Sequence, residues 1–174
     1  MTTSSICDYV TLFLEDATYD TDGVGSWHIP TSSYYFQNRG TLARMSIVDA
    51  GYSKGDLNST ILIGTTDAYN GTVAQVNSSD IIRNDLAILG SLQRTVVADA
   101  DEHIQLFIKV EPINVITPAR PSTIKLVFLK DNKSPADIDS SGFVTIKFEY
   151  LSPEEEQKIN GVVDYVEAFP TKGF

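Results

Sequence analysis

Hydrophobic and polar residues alternate along most of this chain, and the alternation is sharpest toward its C-terminal end. Gly142-Phe143-Val144-Thr145-Ile146-Lys147-Phe148-Glu149-Tyr150 puts Val144, Ile146, Phe148 and Tyr150 on one side and Thr145, Lys147 and Glu149 on the other. A period of two is that of a strand with one buried and one wet face. Thr123-Ile124-Lys125-Leu126-Val127-Phe128-Leu129-Lys130 reads as its companion, a closing antiparallel pair around an acidic, Asp- and Ser-rich turn.

The same reading predicts about eight strands in all. Tyr9–Glu15 carries Val10, Leu12 and Leu14 on one face and Thr11, Phe13 and Glu15 on the other. A turn at Asp20-Thr21-Asp22-Gly23 leads to Val24–Ile29, which Pro30 stops because it has no N–H for a ladder. Leu42–Asp49 follows, then a turn marked by Gly51, Gly55 and Asn58, then Thr60–Ile63. Gln93–Ala98 and His103–Val110 read as a hairpin through Asp99-Ala100-Asp101-Glu102. Residues 64–92 break the rhythm. Val73–Val76 suggests a short strand, and Ile81–Leu92 suits a helical turn or two or an irregular crossing. A long excursion of this kind in a compact sandwich is often a binding or assembly loop.

Ser152-Pro153-Glu154-Glu155 has the marks of a helix start: Ser as N-cap, Pro in first position, Glu three residues after the cap. The helix is expected to reach about Ile159 and stop at Gly161, where a left-handed cap is tolerated. An apolar tail, Val162–Phe169, follows. The chain therefore divides into a sandwich over 1–151 and a helix with tail over 152–174. Short strands, regular turn signals and little helix predict an all-β sandwich, and the mid-chain excursion favours a single jelly roll over an immunoglobulin-like arrangement.

Charge and composition narrow the function. A formal charge of −10, with thirteen scattered cationic residues, does not suit nucleic acid or an anionic membrane. No apolar run approaches a membrane span, and Met1-Thr2-Thr3-Ser4-Ser5-Ile6 lacks the features of a signal peptide, so a cytosol-like compartment is expected. The Asn-x-Ser/Thr triplets at Asn58, Asn70, Asn77 and Asn132 are then read as chance. Cys7, alone, can form neither an internal disulfide nor a Cys-based zinc site, and reads as a small buried hydrophobe.

Catalytic and metal chemistry find little support. His28 and His103 are isolated, no Gly-x-Ser-x-Gly elbow occurs, and no metal-ligand spacing is complete. Asp20-x-Asp22-Gly23 opens like a calcium loop but lacks the later Glu, and Asp99-x-Asp101-Glu102 reads as a solvated hairpin tip. No catalytic, cofactor or metal site is assigned, and the chain is read as a non-enzyme. The aromatics remain. Trp27 and Phe36 read as core, while Tyr34, Tyr35 and Tyr69 are candidate contact residues, joined by Val163, Tyr165, Val166 and Phe169 of the tail.

One resemblance adds to this. Arg120-Pro121-x-x-Ile124-Lys125-Leu126, Leu129-Lys130-Asp131 and Asp139-x-x-Gly142-Phe143-x-x-Ile146-x-Phe148-Glu149-Tyr150 resemble the C-terminal end of single jelly-roll minor capsid proteins. These are penton-type subunits of virophages, Polinton-like elements and large eukaryotic double-stranded DNA viruses. Ser26-Trp27-His28-Ile29-Pro30 is similar to the family's early strand, so the likeness spans roughly residues 8–150. The resemblance implies a virion protein made in the host cytoplasm, forming homo-pentamers at vertices and touching the major capsid protein and other minor capsid proteins. A cement protein between capsomers, or a receptor- or glycan-binding sandwich, is the alternative.

Overall fold

Ten strands form among the described residues, and they stack as two antiparallel sheets. The computed structural model describes residues 6–36, 40–52, 60–68, 86–96, 103–109, 115–130, 134–136 and 141–159. In chain order the strands are β1 (Cys7–Phe13), β2 (Thr18–Tyr19), β3 (Val24–His28), β4 (Leu42–Tyr52) and β5 (Thr60–Thr65). Then come β6 (Ala87–Val96), β7 (His103–Lys109), β8 (Val115–Pro118), β9 (Thr123–Lys130) and β10 (Gly142–Tyr150). One sheet runs β1-β10-β4-β8, the other β2-β3-β9-β5-β6-β7. A short helix, α1, occupies 153–159.

The core lies between the sheets. From the smaller sheet it takes Leu12, Met45, Ile47, Val144, Ile146 and Phe148; from the larger, Trp27, Ile63, Leu89, Ile124, Leu126 and Phe128. In β10 the four residues singled out by their period are all buried. The predicted hairpin of β6 and β7 forms, in register from Val96↔His103 to Gly90↔Lys109. The turn at 20–23 forms as well. Asp20 Oδ1 accepts the N–H groups of Asp22 and Val24, each at 2.9 Å, and Gly23 takes φ +76°.

Several expectations are corrected. β9 and β10 do not pair: β9 lies between β3 and β5, and β10 between β1 and β4, in the opposite sheet. The physical reason is in β9 itself, where Leu126, Val127, Phe128 and Leu129 are all buried, as a strand covered on both faces requires. A second apolar cluster on its outer side contains Val127 and Leu129 with Leu86, flanked by Val24, Leu62 and Ile88.

Residues 87–92 belong to β6 rather than to a helical turn. A bulge hides this in the sequence, because Ile63 faces Gly90 while Gly64 faces Ile88, leaving Leu89 over. A like shift in β4 pairs Asp49 with Thr145 but Ile47 with Ile146, so Val48 is extra. The inward phase passes from Ala43, Met45 and Ile47 to Ala50 and Tyr52, and the strand continues through Gly51 instead of turning there. Cys7 is half-buried on the solvent side of β1, out of phase with the core residues Leu12 and Leu14. The short strands β2 and β8 are additional to the expected set. The short strand expected at 73–76 and the hairpin tip at 99–102 lie outside the described residues.

Candidate functional site

One end of the sandwich gathers the start of β1, the end of β10, the 29–41 connection, the 118–122 turn and α1. The connection is long enough to need holding. A three-residue helical turn, Thr31–Ser33, starts it, and the chain then extends at Tyr34, with φ −83° and ψ 129°. Side chains of consecutive extended residues point opposite ways. Tyr34 accordingly turns inward, 1% exposed, and Tyr35 outward, 83% exposed. Tyr34 is thus corrected from a contact residue to a core residue. Its ring meets Phe148 edge-on at 6.0 Å between centroids, and its hydroxyl donates to the Pro121 carbonyl at 2.9 Å. Burial pushes this phenol's pKa well above its usual value, with nearby Asp8 adding to the shift.

Asp8 lies beneath the connection and is 6% exposed. Its carboxylate accepts the N–H of Tyr35 at 3.1 Å, the N–H of Phe36 at 3.2 Å and the hydroxyl of Tyr150 at 2.5 Å. A buried carboxylate is tolerable when its oxygens are satisfied in this way. Desolvation and the bond to Asp8 both raise the Tyr150 phenol, keeping it a donor. Arg120 adds a clamp from the side: its guanidinium donates to the carbonyls of Phe36 at 3.1 Å and Gly40 at 3.0 Å.

The helix completes the hold. Ser152 and Glu155 form the predicted reciprocal cap, Glu155 N–H to Ser152 Oγ at 3.3 Å and Ser152 N–H to Glu155 Oε2 at 3.0 Å. Glu155 also pairs with Arg44 at 2.8 Å. The Ser152 N–H, the Arg44 guanidinium and the Ser152 hydroxyl together lower its pKa to about 2. Glu156 accepts the N–H groups of Thr41 at 2.7 Å and Leu42 at 2.8 Å, and the Thr41 hydroxyl at 3.3 Å.

The described residues of the connection are thus tied on both sides of 37–39, with Tyr35 at the surface. Tyr35 stands edge-on to Phe36 at 4.8 Å, and Phe36 to Tyr150 at 6.2 Å, so the exposed ring is coupled by packing to the last strand. Phe36 is partly buried against the core and Trp27 fully buried, its Nε1 donating to the Phe13 carbonyl at 2.8 Å. Of the other contact candidates, Tyr69, Val163, Tyr165, Val166 and Phe169 lie outside the described residues. Asp8, Arg120 and Glu156 were not anticipated. Asp8 alone had a signal, since it is in phase with Val10 and Leu12 on the inward side of β1.

Elsewhere chemistry is sparse. Among the described residues no three His, Cys, Asp or Glu side chains group as a metal site. The recess lined by Leu14, Tyr52, Phe128 and Phe143 is apolar and about the size of one water. No described helix is long and apolar enough to cross a membrane. Comparison of the chain with protein-family models, with curated proteins and with solved structures finds no match.

Proposed function

We propose that this protein is a structural subunit of a virus capsid, a single jelly roll of the penton-type minor capsid class. It is made in the host cytoplasm, assembles as a homo-pentamer at vertices and seats against the major capsid protein. One observation carries the reading, the nesting of the strand pairs. With β2 and β7 set aside, the first strand pairs with the last, β1 with β10. Moving inward along the chain, β3 pairs with β9, β4 with β8 and β5 with β6. Such nesting is what a long antiparallel hairpin yields when it is rolled so that successive pairs fall in alternate sheets, the arrangement of a jelly roll.

The pinned end supports the subunit role. A ring around a symmetry axis is built from heterologous contacts, which close only if the contacting loops hold a fixed angle. The connection bearing Tyr35 is held at Tyr35 and Phe36 by Asp8, at Phe36 and Gly40 by Arg120 and at Thr41 by Glu156. A tyrosine held in this way offers large contact area at small entropic cost. Electron microscopy of the purified protein is expected to show five-fold rings, and mixing with a jelly-roll major capsid protein to recruit it to vertices. Monomer alone under assembly-like salt and concentration, with no capsid association, defeats the proposal. The exposed Tyr35 is also the feature that a receptor- or glycan-binding sandwich would use, and binding on a glycan array that Tyr35→Ala abolishes would favour that second reading.

A further inference from the structure

β1 is the outermost strand of the smaller sheet, and its rim away from β10 is bare among the described residues. The phase of its main chain follows from one bond. The Tyr150 N–H donates to the Ile6 carbonyl at 2.9 Å, and the two stand opposite in the register that continues as Cys7↔Glu149. Bonded pairs recur at every second residue of an antiparallel ladder. The main-chain groups of Asp8, Val10 and Leu12 therefore face β10, and those of Cys7, Tyr9, Thr11 and Phe13 face outward from the sheet. A separate contact agrees with this phase, since the Phe13 carbonyl receives the Trp27 indole N–H rather than a ladder donor. Three residues remain whose two groups meet no main-chain partner among the described residues: Cys7, Tyr9 and Thr11.

Sheet rims are usually blunted by brevity, proline, lysine or bulges. The opposite rim of this sheet follows that rule, with β8 four residues long and ending in Pro118. In the larger sheet one rim strand, β2, has only two residues, and the other, β7, is seven residues long and ends in Lys109. β1 has seven, contains neither Pro nor Lys, and runs against β10 without a register shift. Its solvent face shows Tyr9, 60% exposed, and Phe13, 51% exposed.

We infer that this rim takes a second copy of the chain, β1 against β1, antiparallel about a two-fold axis at Tyr9. What is bare fixes the register. Only a centre at Tyr9 sets the three residues against one another, Cys7 against Thr11 of the second copy, Tyr9 against Tyr9, Thr11 against Cys7. Each facing pair exchanges two main-chain hydrogen bonds, and the two four-stranded sheets become continuous. No like charges meet on the solvent face. On the core face Asp8 comes opposite Val10, with its carboxylate already engaged by Tyr150, Tyr35 and Phe36. The chain's formal charge of −10 opposes association at long range, so added salt strengthens this contact. The inference rests on edge geometry and goes beyond the vertex reading, because a two-fold contact is a different symmetry element from a ring contact.

Sedimentation velocity on the full chain, from micromolar to hundreds of micromolar and at two salt concentrations, tests it. Dimers, or paired rings where rings form, are expected, and more of them at high salt. Tyr9→Lys places two ammonium groups together on the axis and is expected to weaken the contact by at least about ten-fold, while facing Lys147 within its own chain lowers the melting temperature by no more than about 4 °C. Thr11→Cys is expected to cross-link to Cys7 of the second copy on mild oxidation, since facing Cα atoms in such a pair lie about 5.5 Å apart. Cys7→Ser in that background should abolish the cross-link. Single five-fold rings overturn the two-fold contact and leave the vertex reading standing, dimers without rings do the reverse, and monomer throughout overturns both. Tyr9→Lys that associates like the parent, or Thr11→Cys that fails to cross-link, also overturns the contact.

Discussion

Asp8 and Glu156 hold the same connection at different points, and each accepts three hydrogen bonds from the described residues. Asp8 takes the N–H groups of Tyr35 and Phe36 and the Tyr150 hydroxyl; Glu156 takes the N–H groups of Thr41 and Leu42 and the Thr41 hydroxyl. They differ in what lies behind the donors. Beneath Asp8 is the core, with Tyr34, Phe148 and Tyr150 packed beside it, whereas Glu156 sits at the surface with solvent at hand. Bond count is therefore a poor guide to what either residue contributes. When Asp8 is removed, the buried Tyr150 hydroxyl has no water to turn to and the half-buried N–H groups of Tyr35 and Phe36 have little, whereas the exposed Thr41 groups freed from Glu156 turn to water.

Asp8→Ala is the most damaging change this contrast predicts. Two main-chain N–H groups and a phenol lose their acceptor, at a cost of about 3 kcal/mol. In a domain of this size that lowers the melting temperature by roughly 6–12 °C, readable by calorimetry. Tyr150→Phe combined with Asp8→Ala should cost less than the sum of the two alone, because the pair shares one bond. Glu156→Ala is expected to cost about 1 kcal/mol, with water taking over the freed N–H groups. Equal losses for Asp8→Ala and Glu156→Ala would break the comparison.

Within the connection itself the contrast is between neighbours. Tyr34→Phe removes the hydroxyl that reaches Pro121 and should cost about 1 kcal/mol, while Tyr35→Ala should stay within about 0.5 kcal/mol. Chemical denaturation of the two variants separates them. If Tyr35→Ala instead destabilises as much as Tyr34→Phe, the outward ring is part of the fold and not free for a partner.

The legibility of these features in the sequence follows from how many faces each one buries. β10 could be read residue by residue because water lies on one side of it, and its period survives intact. β9 could be read as a strand but not assigned a neighbour, since Val127 and Leu129 cover a second cluster and blur the period. In β4 and β6 the extra residues Val48 and Leu89 reset the phase midway, so one strand seemed to end early and the other to start late. Tyr34 and Tyr35 form an adjacent pair that composition cannot divide, whereas extended backbone at Tyr34 divides them at once. The capping of α1 was fully legible because Ser152 and Glu155 act within one turn. Asp8, Arg120 and Glu156 act across 28, 84 and 115 residues respectively, and no local pattern encodes such bonds.

Glu155 supplies the smallest and most specific test, because its contribution depends on charge rather than burial. Its folded pKa, lowered to about 2 by Ser152 and Arg44, lies below the value of about 4.3 expected in the unfolded chain. A carboxylate so shifted stabilises the fold fully above about pH 5 and loses that contribution as pH falls through 4 toward 2. Glu155 is well exposed, so solvent screening limits the effect to about 0.5–1 kcal/mol, the range of a helix cap, instead of the full equivalent of the shift. Glu155→Gln should therefore melt below the parent near neutral pH, and the gap should close by about pH 2. Added salt should shrink the Arg44 share of the gap at neutral pH while leaving the loss in Asp8→Ala nearly unchanged, because a bond in the dry interior is little screened. A gap between Glu155→Gln and the parent that persists at low pH would mean that shape, not charge, joins α1 to β4, and the surface anchor would then resemble the buried one.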